Sequence, residues 1–118
     1  MYIDSYVLAV PEQNKDRYLA AAESFAAIAK DCGVLEIVES WEAEVADGDD
    51  TDFRKAVKAQ AGEKIVSSWV IWPNREAAHK GKEAMMKDER MAQMGDMPFD
   101  GKRMIFGSFE PILTVGRK

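Results

Sequence analysis

The ten residues from Glu63 to Trp72, Glu-Lys-Ile-Val-Ser-Ser-Trp-Val-Ile-Trp, constrain this chain more than any other stretch. Gly62 precedes them and Pro73-Asn74 follows. β-Branched and aromatic residues between such punctuation predict a strand with a defined start and stop. Ile65, Trp69 and Ile71 share one parity; Val66, Val70 and Trp72 share the other. A strand apolar on both faces belongs inside a sheet that is covered twice.

Tyr2 to Val10 predicts a second strand of this kind, with bulk on both parities and Pro11 closing it. Lys15 to Lys30 predicts a helix. Asn14 stands at its N-cap, Tyr18, Ala22, Phe25 and Ala29 recur at helical spacing, and Gly33 terminates it. Val34 to Val45 alternates: Leu35, Ile37, Trp41, Ala43 and Val45 against Glu36, Ser40, Glu42 and Glu44. That pattern predicts an edge strand with a wet face. A loop over 46–52 and one or two basic helical turns within Phe53–Ala61 lead to the central strand. Asn74 caps a further helix from Arg75 to about Met91, in which Gly81 marks a close approach to another backbone. Asp100-Gly101 is a hairpin signal before a last strand, Met104 to Phe109, and Ile112 to Lys118 adds a short edge segment or a frayed end.

The resulting order, β-α-β-β-α-β, is that of the ferredoxin-like split unit, an α+β fold. Right-handed crossovers put the first and third strands in the middle of an antiparallel sheet. These are the two strands whose composition is apolar on both faces. Two helices cover one face, so the other calls for a second copy of the chain, sheet against sheet, in a two-fold dimer.

Composition bounds function. At 118 residues the chain is expected to form a single domain, 1–118, large enough to bury a core. A net charge of −5 gives no basic footprint for nucleic acid, although Arg54, Lys55 and Lys58 form a local basic patch. No apolar run approaches the roughly 20 residues of a membrane span. Met1-Tyr2-Ile3-Asp4 lacks the pattern of a secretory signal, and one cysteine, Cys32, makes no internal disulfide. The cytoplasm is the expected compartment, and no cofactor is implied.

Several stretches resemble the bacterial YbaA-like family, a domain of unknown function placed among the dimeric α/β-barrel proteins. They are Tyr2-Ile3-Asp4, Gly33-Val34-Leu35-Glu36, Arg54-Lys55-Ala56-Val57-Lys58-Ala59, Ser68-Trp69-Val70-Ile71-Trp72-Pro73 and the eleven residues from Met97 to Gly107. Ser5 and Ser108 stand where the family pattern leads one to expect glycine, and Asp52-Phe53-Arg54 lacks an expected proline. The resemblance implies a ferredoxin-like fold and a homodimer. It implies no established activity and supplies no catalytic residues.

Candidate chemistry is sparse. The acidic tract from Glu36 to Asp52 fails as a calcium loop: counted from Asp47, the sixth position is Asp52 instead of glycine and the twelfth is Lys58 instead of glutamate. It reads as a solvated edge, with the basic segment after it as its partner. His79, the only histidine, sits on a helix among charges; a surface role competes with that of a general base or haem ligand. Trp41, Trp69, Trp72, Tyr6, Phe53 and Phe106 suit either an apolar pocket or core and dimer packing. Asp4 and Glu36 fall in strands that should be largely buried, and buried carboxylates need partners; Arg54 and Arg103 are available. Cys32 follows a helix C-terminus, where a thiolate is not favoured.

The reading with most support is a homodimer that binds a small, partly apolar molecule between sheet and helices, with Asp4, Tyr6, Trp41, Arg54, Trp69 and His79 as ligand-binding candidates. A cofactor-free monooxygenase or isomerase is the enzymatic alternative, by analogy with other dimeric α/β barrels. A purely structural or interaction module is the third.

Overall fold

In the computed structural model, which describes residues 1–117, four strands form one antiparallel sheet: β1 (Tyr2–Pro11), β2 (Glu36–Trp41), β3 (Glu63–Trp72) and β4 (Ile105–Phe109). Their order across the sheet is β2-β3-β1-β4. The two strands with bulk on both parities are therefore the two in the middle. Helix α1 (Lys15–Asp31) connects β1 to β2, and α3 (Arg75–Lys87) follows β3. This is the ferredoxin-like α+β architecture.

Register assigns every side chain to a face. Tyr2 opposes Trp72, Asp4 opposes Val70 and Leu8 opposes Val66, so the even positions of both central strands share a face. That face meets the helices: Ile28 and Ala29 of α1 and Ala78 and Met85 of α3 pack with Tyr2, Val70 and Trp72. Residues Leu8, Val10 and Val66 continue the layer against Tyr18. Alanines at the contact let the helices lie close to the sheet.

Gly81 brings α3 closest. A Cβ there would lie 2.6 Å from the Cys32 carbonyl oxygen and would overlap the six-membered ring of Trp72. The indole is fixed from its other end, because Trp72 Nε1 donates to Asp4 Oδ2 at 3.1 Å. Asp4 Oδ1 accepts from Lys82 Nζ at 3.1 Å and Ser108 Oγ at 2.7 Å. The buried carboxylate thus ties β1 to β3, β4 and α3. Its cation is Lys82; Arg54 and Arg103, the partners the sequence offered, are engaged elsewhere.

Arg103 pairs instead with Glu63 at the start of β3. Nη1 meets Oε1 at 2.7 Å and Nη2 meets Oε2 at 2.8 Å, in a two-pronged ion pair. Gln60 N–H adds a third bond to Glu63 at 2.6 Å. Arg54 bonds Glu42 and the Glu63 carbonyl, so the basic segment does pair with the acidic tract. Glu36 takes Trp69 Nε1 at 2.9 Å and Arg117 at 3.2 Å and stays partly exposed.

Four local expectations change. β2 is shorter than Val34–Val45: beyond Glu42 the chain leaves the sheet, and Val45 packs over the opposite face beside Val57 and Ile65. The second long helix is broken at Asp88, whose backbone turns extended (φ −76°, ψ 129°) and whose side chain caps a short α4 (Glu89–Gln93). Asp100-Gly101 makes no hairpin, because helix and not strand precedes it; Asp100 caps a single 3-10 turn, Gly101–Arg103, before β4. Asn14 occupies the N-cap position of α1 but forms no side-chain cap; its amide donates to the Pro98 carbonyl at 3.1 Å.

The non-helical face is partly covered by the chain itself. Helix α2 (Phe53–Ala56) and its flanks lay Val57 on Ala9 and Ile65, all three nearly inaccessible. At the other end of that face, Pro111, Leu113, Val115 and Arg117 border a cleft with Ile3, Ser5, Trp69 and Ile71. The segment after β4 forms no strand through Arg117, and Lys118 lies outside the described residues.

Two outcomes follow from these contacts. Gly81→Ala should lower stability by about 1–3 kcal/mol in chemical denaturation, because overpacking against Trp72 outweighs the gain in helix propensity. The Arg103 hydrogen bonds hold the Glu63 carboxyl below its ordinary value of 4.5. The unfolded chain restores that value, so the contribution is complete above about pH 4.5 and is lost as pH falls through the lower folded value. Tm measured from pH 6 to pH 3 should therefore fall, and Glu63→Gln should make the fall shallower.

Candidate functional site

The helical face does not close completely. Between α1, α4, the 94–99 segment and the β1–β4 edge lies a cavity of about 370 Å³. Its walls are Tyr6, Tyr18, Ala21, Ala22, Phe25, Phe99 and Phe106, with Met91, Met94, Met97 and Met104. Ala21 and Ala22 leave the space that larger residues on α1 would fill. The break at Asp88 redirects the chain so that α4 and the methionines after it stand over the opening. The Asn14–Pro98 bond holds that segment against the start of α1.

One charged side chain enters this apolar lining: Glu39 of β2. Register puts Glu39 opposite Ser68 on the helical face, between Ile37 and Trp41. Three hydroxyls meet it. Tyr18 donates to Oε1 at 2.7 Å and Ser68 to Oε1 at 2.5 Å, while Tyr6 donates to Oε2 at 2.8 Å. Among the described residues no basic group lies within ion-pair distance of Glu39. Burial first, and then the adjoining Glu39 carboxylate, push both tyrosine hydroxyls far above their ordinary pKa of 10.0. They remain protonated at any physiological pH, with their protons committed to Glu39.

The sequence candidates scatter. Tyr6 lines the cavity and stacks with Phe106 at 6.4 Å between centroids. Trp41 belongs to a separate groove of about 80 Å³, which also touches Tyr18 and Glu39, and carries the Lys15 ammonium 5.3 Å from its ring centre. Asp4 sits beneath Phe106 through Lys82, whose ammonium is 5.7 Å from both the Phe106 and Tyr2 rings. His79 is exposed on α3 and meets Tyr2 edge-on at 6.2 Å. Trp69 lies on the opposite face with Glu36, and Arg54 braces the start of β3. The structure brings Tyr6 to the cavity and leaves the other five outside its lining.

Glu39 is the residue that the sequence reading passed over. In the sequence it is one of eight carboxylates in the acidic tract. The signal was its parity, since it falls on the apolar set of β2, between Ile37 and Trp41. The four methionines give no warning in the sequence, because they are spread from the end of an expected helix at Met91 to the start of the last strand at Met104.

Residues 1–101 match the profile of a family described as "Protein of unknown function (DUF1428)". The uncharacterized protein YbaA of Escherichia coli (strain K12) is 48% identical over 113 residues, covering 95% of this chain and 97% of YbaA. The uncharacterized protein YbaA of Shigella flexneri matches to the same extent. Among solved structures, a dimeric ferredoxin-like protein from an uncultured marine organism is similar in fold, with a TM-score of 0.63 at 10% identity over 99% of this chain and 100% of that one. The resemblance drawn from scattered motifs thus extends through nearly the whole chain, which belongs to the YbaA-like, DUF1428 family of proteins of unknown function.

Proposed function

We propose that this protein is a cytoplasmic homodimer that binds a small, largely apolar molecule in the cavity under α1 and α4. The observation that carries the reading is the cavity itself. About 370 Å³ of space is lined by aromatic rings and methionines, with one carboxylate at its floor. Binding sites for small molecules have this form: apolar walls that supply affinity and a few polar groups that fix orientation. Methionines suit such walls, because their flexible thioethers adapt to an irregular guest. Phe106 and Met104 remain accessible at the rim, which gives a guest apolar surface still to bury.

The dimer rests on the other face and on the segment after β4. Phe109, Ile112, Leu113 and Val115 are all more than half exposed. An apolar strip of this kind beside a half-covered sheet is the mark of an interaction surface. A second copy, related by a two-fold axis, would cover both strips at once.

Thermal-shift screening of the intact chain against aromatic and amphiphilic metabolites should yield stabilising compounds. Ala22→Phe, which fills the cavity from α1, should abolish those shifts while the variant stays folded. Failure of every compound to stabilise the wild-type chain would overturn the binding reading. Light scattering after size exclusion should give the mass of a dimer, and Leu113→Asp with Val115→Asp should give that of a monomer. A monomeric wild-type chain at micromolar concentration would overturn the dimer.

A further inference from the structure

We propose that the molecule this cavity takes is an organic cation: an aromatic or amphiphilic amine whose ammonium group seats against Glu39. The inference rests on the small-molecule reading above and deepens it to a ligand class.

The first argument is the direction of the hydrogen bonds. The polar atoms at the floor come from Glu39, Tyr6 and Tyr18, with Ser68 behind them. Every hydroxyl proton among them already points at Glu39. What remains to face a guest is one lone-pair direction on Oε2 and the lone pairs of the tyrosine oxygens. The floor accepts hydrogen bonds and has none left to donate. A carboxylate, phosphate or sulfonate group would find no donor there, and a carbonyl would find none either.

The second argument is charge. Glu39 brings a negative charge into an apolar enclosure. Hydroxyl donors stabilise it but do not neutralise it, and the low local dielectric magnifies its field. Two cations border this region, Lys82 beside Phe106 and Lys15 in the adjoining groove, and both are engaged elsewhere. Lys82 is held by Asp4 at 3.1 Å, and Lys15 rests on the ring of Trp41. A cationic guest would complete the pair, whereas an anionic one would meet an uncompensated like charge.

The third argument is the wall. Tyr6, Tyr18, Phe25, Phe99 and Phe106 present rings, and the methionines present polarisable sulfur. Ring faces attract cations most when water is excluded. The same walls take the apolar body of the guest. A purely hydrophilic polyamine would leave them unsatisfied, which is why the class is an amine on an apolar skeleton.

The test uses three probes on one skeleton: 2-naphthylmethylammonium, the neutral 2-naphthylmethanol and the anionic 2-naphthoate, titrated calorimetrically into the intact wild-type chain near pH 7. The ammonium probe should bind at least about tenfold more tightly than the alcohol, because both can donate to Glu39 but only the ammonium brings an opposite charge. The carboxylate should show no binding. Glu39→Gln should weaken the ammonium probe by about tenfold or more and bring its advantage over the alcohol within about threefold. Ranking the three probes on wild-type protein needs no variant to fold. Equal or tighter binding of the alcohol or the carboxylate would overturn the cation class and leave the binding pocket standing. Binding of the ammonium probe that survives intact in a folded Glu39→Gln variant would also overturn it. No binding by any of the three at millimolar concentration would remove the class and the pocket together.

Discussion

The fold turns on the seat of Trp72. Its ring lies where a side chain at position 81 would stand, and its N–H ends on a buried carboxylate. The two contacts depend on each other. Without glycine at 81, α3 moves off the sheet; without Asp4, the indole N–H is buried with no acceptor, at a cost of about 1–3 kcal/mol. Asp4 in turn is tolerable in the interior only because Lys82 reaches it from α3, one residue beyond Gly81. A single turn of α3 therefore carries both the void that admits the indole and the charge that neutralises its partner.

The cavity is a consequence of the same arrangement. With α3 drawn tightly onto β3, α1 and α3 seal the Trp72 end of the helical face. The β4 end is left to α4 and the methionine segment, which pack less closely. Glu39 faces this looser region from β2, the far edge of the sheet, along the cross-strand row Glu39, Ser68, Tyr6 and Phe106. Two tyrosines from different elements and a serine of the central strand converge on it, so three long-range bonds hold a carboxylate where hydrophobic residues surround it. Three hydrogen bonds make this floor rigid, while the methionine walls above it are adaptable. The tie between Arg103 and Glu63 serves the same end from outside, since it anchors the turn that leads out of the methionine segment into β4.

Strand and helix content was legible in the sequence where residues repeat with a period. β1 and β3 declared themselves central because both parities were apolar, and Asn74 and Gly33 marked a start and an end that the structure keeps. The break at Asp88 was not legible: the apolar spacing runs on past it, and only the side-chain cap shows that the backbone turns. Partnering was the least legible feature. Asp4 was recognisable as a carboxylate in need of a cation. Which of sixteen basic residues reached it depended on where α3 lay, and Lys82 is seventy-eight positions away.

What the sequence determined alone is the order and type of the main elements, the two central strands and, through motifs spread over the chain, the family. Those rest on local propensity and on periods of two and of about 3.6 residues, which any window of the chain displays. What only the tertiary structure decided is the site. Glu39 looks like surface charge when read beside its sequence neighbours. It becomes the floor of a cavity once register places it opposite Ser68 and the crossovers bring Tyr6 and Tyr18 over it. The cavity is built by contacts between residues tens of positions apart, and one-dimensional patterning holds no record of such distances.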